Sequence, residues 1–341
     1  MMSSQLMRTR NVKQLRLRLA TSPTPRMPES DSDEPQSSSP CPESPVMSGV
    51  TKFKLSSSCA GNLDLAGTMT TRSVRHQSRI KNAGMQTAIK LIYKYKARSI
   101  SELFDKCSSD EFANLVYQCS NYHKMIMPAL ELFIKDSLEL QRRNRWEYML
   151  SHANYSLDEE EELLRLFTVQ RINPIEFANA LKTVLNCEKP KKNCIRLIGA
   201  PNSGKTLIGQ LIASCFITCY ANNHGSENEF FMSNFLNKAL ILCEELYVTQ
   251  ATCEDFKSIL GGANIDISKK YSEKQILSRT PVLITSNFEL FGRGHLNNTD
   301  ENALITRCFT FRFTSAFVPR ITITAPSMYH FLWLCVNQDM L

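Results

Sequence analysis

The stretch Ile195-Arg196-Leu197-Ile198-Gly199-Ala200-Pro201-Asn202-Ser203-Gly204-Lys205-Thr206 carries an apolar run directly into the spacing GxxxxGKT. The run predicts a buried strand, and the glycines let the following loop turn its backbone N–H groups inward around an anion. Lys205 is spaced to reach the β- and γ-phosphates of a nucleotide, and Thr206 to offer its hydroxyl to Mg²⁺. Leu207–Tyr220 is apolar and has no Gly or Pro after Gly209, so it predicts a helix whose positive N-terminus faces the phosphates. With strand before and helix after, Gly199, Ala200, Pro201, Asn202, Ser203, Gly204, Lys205 and Thr206 read as a nucleotide-binding loop.

The 341 residues are enough for two domains, and 43% hydrophobic residues supply a substantial core. A net charge of +7, from 40 basic and 33 acidic side chains, permits nucleic-acid binding without demonstrating it. No apolar stretch approaches the roughly 18 residues of a membrane span. No signal-peptide core follows the first methionine, so membrane insertion and secretion are not expected. None of the 12 cysteines forms CxxC. Cys215 and Cys219 would lie one turn apart on the helix after the phosphate loop, and buried free thiols of a reducing compartment are expected.

Residues 1–80 offer few candidates for a core and read as a disordered arm. Thr21–Ser48 is dominated by Pro and Ser around the acidic patch Glu29–Glu34, and Met1–Arg26 is basic without an acid. For that basic segment a nuclear-import or nucleic-acid arm, an organellar transit peptide and an inert tail stand side by side. Residues 85–188 read as a helical domain. Ser156-Leu157-Asp158-Glu159 and Asn173-Pro174-Ile175-Glu176 are expected helix starts of capping-box form. Residues 189–315 alternate short apolar runs with helical segments, which predicts an α/β domain with a central, mainly parallel sheet flanked by helices. Phe331, Leu332 and Trp333 predict a packed helix in the tail 316–341.

Hydrolysis needs more than a cradle: an acid, a polar sensor and a positive charge for the transition state. Ala239–Cys243 ends in Glu244-Glu245, candidates for organising Mg²⁺ and orienting water, with a solvated acidic strand end as the alternative. Val282–Thr285 leads to Asn287, a candidate sensor, with a strand-ending turn residue as the alternative. Arg307 precedes the strand Cys308–Phe313 and is a candidate finger, or a surface salt-bridge partner. Between these elements Ile265 and Ile267 alternate with polar residues, and a hairpin carrying Lys269, Lys270, Tyr271 and Lys274 is expected. Its lysines can neutralise phosphates and its tyrosine can stack on a base, or the hairpin is simply a solvated charged face.

The ordered set GAPNSGKT, ALILCEEL, KSILGGANIDISKKYSEKQILSRTPVLITSN and ENALITRCFTFRF resembles the superfamily 3 helicases of small DNA viruses, and within these the helicase domain of the parvovirus large non-structural replication protein. The resemblance covers about residues 170–315. It implies a P-loop AAA+-like helicase domain, ATP and Mg²⁺, a homo-oligomeric ring, expected as a hexamer, and 3′-to-5′ translocation on single-stranded DNA in viral DNA replication in the host nucleus, with a cytoplasmic setting as the alternative. Carried over by position, it assigns Lys205 and Thr206 to the phosphate loop, Glu244 and Glu245 to the acidic pair and Lys269 and Lys270 to a pore hairpin. It likewise assigns Asn287 to the sensor and Arg307 to a finger acting on the neighbouring subunit. None of the 6 histidines forms the His-hydrophobic-His pair of the origin-nicking domain that such proteins carry, so nicking is not expected of this sequence. The alternative function is a truncated or domesticated viral-derived protein that binds nucleotide without unwinding DNA.

Overall fold

The computed structural model describes residues 83–118, 121–222, 231–269 and 272–337. The basic arm therefore lies outside the described residues. Helices come first: α1 (Ala83–Tyr95), α2 (Ile100–Lys106), α3 (Ser109–Gln118), α4 (Tyr122–Arg143), α5 (Arg145–Leu150), α6 (Leu157–Val169) and α7 (Pro174–Leu185). Then follow β1 (Cys194–Gly199), α8 (Lys205–Ala213), β2 (Thr218–Asn222), β3 (Leu240–Glu244), α9 (Cys253–Gly261), β4 (Ile265–Lys269) and β5 (Ser272–Leu277). The described chain ends with β6 (Val282–Ser286), α10 (Asn298–Ile305), β7 (Cys308–Phe313) and α11 (Ala325–Val336).

Five strands form a parallel sheet in the order β2-β3-β6-β1-β7. This is the expected α/β architecture. Strands buried on both faces have no polar side to present, and within β3 Leu240 and Leu242 face one core while Ile241 and Cys243 face another. The first core is completed by α5 to α8 and α11, the second by α9, α10 and the β4–β5 hairpin. A third core, built on Ile89, Ile92, Leu103, Ile126 and Phe133, joins α1 to α4. The helices of 85–188 thus divide between that bundle and the layer that packs on the sheet. Arg98, Arg142 and Arg145 dock the bundle and the adjoining α5 by donating to the carbonyls of Phe216, Lys238 and Ala239, each at 2.8 Å.

Local signals explain most boundaries. Asn173 accepts from the N–H groups of Ile175 and Glu176 at 2.9 and 3.4 Å with Pro174 in the first turn, as the cap motif predicts. Ser156 holds the N-cap position of α6 without a side-chain cap bond, and Glu159 accepts instead from the N–H and hydroxyl of Thr324 at 2.6 and 2.7 Å. The expected capping box is therefore opened by a tertiary partner. The helix expected over Leu207–Tyr220 ends at Ala213, and β2 begins at Thr218. The carbonyl of Ala213 is taken by the N–H of Phe216 at 3.0 Å and the hydroxyl of Thr218 at 3.1 Å, which stops the helix without Gly or Pro. Cys215 and Cys219 consequently lie in the turn and in β2, not on one helix. Nine cysteines among the described residues are free thiols. In the tail, Phe331 of α11 stacks on Phe167 at 5.7 Å, so the expected packed helix is present. No helix among the described residues is long and apolar enough to cross a membrane.

Candidate functional site

The connection leaving β1 runs to β2 at one edge of the sheet and that leaving its neighbour β6 runs to β7 at the other, so the direction of crossover switches between β1 and β6. Ligand crevices in open parallel sheets form at such a point, beyond the carboxyl ends of the strands. The carboxyl ends of β1, β3 and β6 carry Gly199, Glu244 and Ser286, each followed by the loop residues that the sequence singles out.

The loop after β1 is shaped by residues that need left-handed backbone. Gly199 has φ +126°, and a Cβ there would collide with the carbonyl of Phe313. Gly204, with φ +93°, is the N-cap of α8, where a Cβ would press on Leu166. The loop is bonded to the chain that leaves β7: Ala200 N–H donates to Phe313 O and Phe317 N–H to Asn202 O, both at 2.8 Å. Inside it the Ser203 hydroxyl donates to Ala200 O at 2.7 Å.

Lys205 opens α8 and is buried. Its ammonium folds back on its own loop, with Ala200 O at 2.5 Å, Gly199 O at 3.0 Å and the Ser203 hydroxyl and Asn287 Oδ1 at 3.1 Å. Burial lowers its pKa from the ordinary lysine value, and the charge of Glu245 opposes that shift. A phosphate entering the loop would meet this ammonium and the exposed Thr206 beside it.

The two glutamates face different partners. Glu244 ends β3 and accepts from Gln210 Nε2 at 3.5 Å, one turn along α8 from Thr206. Glu245 adopts φ +53°, donates its N–H to Thr285 O at 2.8 Å and turns its carboxylate to the N–H of Asn287 at 3.0 Å and the hydroxyl of Ser286 at 3.4 Å. Asn287 therefore touches Glu245 through its backbone and Lys205 through its side chain. Lys205, Glu245 and Asn287, distant in sequence, form one cluster. The donor set suits a nucleotide with Mg²⁺: a cradle that excludes a Cβ, an ammonium, a free hydroxyl and two carboxylates.

Arg307 is not in that cluster. It precedes β7, whose first residue pairs with Cys194 and whose last pairs with Gly199, so it sits at the far end of the sheet, about 20 Å from the loop at about 3.3 Å per residue. Its guanidinium donates to Ala303 O and lies 3.2 Å from where a Cβ of Gly261 would stand. The hairpin forms as expected, pairing Ile265 with Leu277 and Lys269 with Ser272, around a bulge between Ile267 and Lys269. Ile267 and Leu277 are buried against the second core, and Lys274 is exposed. Lys270, Tyr271 and the side chain of Lys269 lie outside the described residues.

Two further residues shape the site. Arg196, inside β1, is buried with its guanidinium 4.3 Å from the ring centre of Phe291, and it donates to the carbonyls of Phe288 and Glu289. It thereby fixes the loop that follows Asn287. A charge in the middle of an apolar strand was the signal for it. Gln170, at the end of α6, bonds to Ser203 O at 3.1 Å, and nothing in its local sequence marks it.

The family model described as Parvovirus non-structural protein NS1 matches residues 106–340. The initiator protein NS1 of Primate bocaparvovirus 1 (strain Human bocavirus 1 type 1) is 27% identical over 191 residues, 55% of this chain and 24% of its own length. The replication protein E1 of European elk papillomavirus is 27% identical over 210 residues, 59% of this chain and 32% of its own length. The chain thus spans between about a quarter and a third of these curated relatives. Among solved structures, the X-ray structure of JCV helicase aligns at a TM-score of 0.47 and 10% identity, over 69% of this chain and 78% of that one.

Proposed function

We propose that this chain, which belongs to the parvovirus non-structural protein NS1 family, is the motor part of a viral replication helicase, hydrolysing ATP to move on single-stranded DNA. The observation that carries the proposal is the cluster of Lys205, Glu245 and Asn287 at the carboxyl ends of adjacent strands, beside a loop built for an anion. Lys205 would hold the β- and γ-phosphates, and Thr206 with Glu244 would hold Mg²⁺, which when bound neutralises charge building on the phosphates. Glu245 would orient and deprotonate the attacking water, and Asn287 would fix that water against the γ-phosphate.

Arg307 lies at the opposite end of the sheet from this chain's own loop, which supports its use by a neighbouring subunit in a ring, read as a hexamer. The β4–β5 hairpin, with Lys269, Lys270, Tyr271 and Lys274, would grip DNA in the ring's pore, phosphates on the lysines and a base on the tyrosine. The setting that fits replication of a small DNA virus is the host nucleus.

The test is ATP hydrolysis and strand displacement by the full chain. Lys205→Ala should remove both activities. Replacing Lys269 and Lys270 together should leave basal hydrolysis within about threefold while removing its stimulation by single-stranded DNA, since only the electrostatic track is lost. Hydrolysis by Lys205→Ala at the parent rate would overturn the assignment, and unchanged unwinding without the two lysines would overturn the pore role. Hydrolysis without any strand displacement by the parent would favour the non-unwinding alternative.

A further inference from the structure

Gln170 caps the C-terminal end of α6 and is only 2% exposed, yet its amide is fully engaged. Its Nε2 donates to Ser315 O at 2.6 Å and Ser203 O at 3.1 Å, and its Oε1 accepts from Ser315 N–H at 3.0 Å. Ser203 lies in the phosphate loop, whereas Ser315 lies in the strap that leaves β7. The same strap bonds Asn202 O through Phe317 N–H at 2.8 Å. Two consecutive carbonyls of the loop, those of Asn202 and Ser203, are thereby held from outside.

A trans peptide is planar, with its C=O and the next residue's N–H pointing in opposite directions. Fixing the Asn202 carbonyl toward the strap therefore turns the N–H of Ser203 to the other side, and fixing the Ser203 carbonyl does the same for Gly204. We propose that Gln170 and the strap 313–320 form a template that presets the phosphate cradle, and that Gln170 is a positioning residue for nucleotide binding. Gly204, at φ +93°, has no side chain to restrain its peptide planes, so the restraint has to come from its neighbours. Arg165 and Glu162 of α6 extend the template by binding the strap at Val318 O and Arg320 N–H, both at 2.8 Å. The inference rests on the reading of the loop as an ATP site.

A preset cradle stabilises the bound ground state and the transition state alike, so losing it should raise KM and Kd with little change in kcat. In the full chain, binding of a fluorescent N-methylanthraniloyl ATP with Mg²⁺ and steady-state hydrolysis are measured together. Gln170→Leu keeps the volume and removes the hydrogen bonds, and it should weaken binding and raise KM by about tenfold or more, with kcat within about threefold. Gln170→Glu sets a carboxylate against two carbonyls; its affinity should rise as the pH falls from about 8 to about 6 and that buried carboxyl regains a proton to donate. Neither the parent nor Gln170→Leu should show that rise.

A folded Gln170→Leu protein with parental Kd overturns the proposal, as does Gln170→Glu with the parent's pH profile. If Gln170→Leu does not fold, the pH series of Gln170→Glu decides. Lys205→Ala separates the two levels: parental nucleotide binding and hydrolysis in that variant defeat the ATP-site reading itself. Loss in Lys205→Ala together with parental behaviour of both Gln170 variants defeats only the template.

Discussion

Glu244 and Glu245 are adjacent in the chain and end in different surroundings, so their roles can be separated by substitution. Glu245 lies against the N–H of Asn287, whose side chain meets Lys205, and its left-handed backbone aims it across the cluster. Glu244 shares Gln210 with the helix that bears Thr206. Glu245→Gln should keep nucleotide affinity and lower kcat by about 10²-fold or more, the usual loss on removing a general base. Glu244→Gln should instead shift the Mg²⁺ concentration needed for half-maximal hydrolysis upward. Nucleotide titration and Mg²⁺ titration of the two variants check this, and equal effects on both readouts would merge the roles. At this scale the sequence is legible where a polar or charged side chain follows an apolar strand run, as for Lys205, Glu245 and Asn287. It is silent for Gln170, because the partners of that amide are backbone groups, which every residue carries.

Among elements, the strap after β7 is held by charges on α6, which makes its attachment sensitive to acid. The Glu162 carboxylate is paired with Arg165 at 2.6 Å and accepts from Arg320 N–H, and the Arg165 guanidinium beside it is the largest cause that lowers its pKa from 4.5 to about 2. A folded-state pKa below the unfolded one contributes stability that is present above about pH 4.5 and is lost as the pH falls toward about 2. The protection factors of the strap amides, Arg320 included, measured against the intrinsic exchange rate at each pH, should therefore fall across that window in the parent. In Glu162→Gln protection should already be low near neutral pH and change less through the window; an identical acid profile would show that the strap is held by other means. The element that sequence patterning hid is β2. It is a five-residue edge strand, Tyr220 on it is 62% exposed, and its apolar residues continue those of α8 without a Gly or Pro between. Periodicity cannot divide such a run, and only the carbonyl of Ala213, bonded to Phe216 and Thr218, shows where the helix stops. The strands β1, β3 and β6 were readable because burial on both faces calls for apolar runs, and the edge strand β7, whose Arg312 is exposed, by its alternating Phe309, Phe311 and Phe313.

For the whole molecule the decisive separation is that between the phosphate loop and Arg307, at opposite ends of β1 and β7. A guanidinium about 20 Å from the loop, by strand rise, cannot stabilise charge on a phosphate held by the same chain. If the motor works as a ring, each active site takes Lys205 from one subunit and Arg307 from the next. Arg307→Ala alone should then bind nucleotide as the parent does and lose about 10³-fold in kcat, the order of effect of removing such a finger. Lys205→Ala alone should be inactive as well. Mixing the two inactive proteins creates interfaces at which an intact Lys205 faces an intact Arg307, so hydrolysis should reappear and scale with the product of the two fractions. Hydrolysis measured across mixing ratios, alongside mass measurement with ATP and single-stranded DNA, tests both the shared site and the assembly. A mixture that assembles but stays inactive would remove Arg307 from the site. Full activity of Arg307→Ala by itself would mean that the loop, the glutamates and Asn287 suffice within one chain, and the ring would then be needed for gripping DNA rather than for hydrolysis.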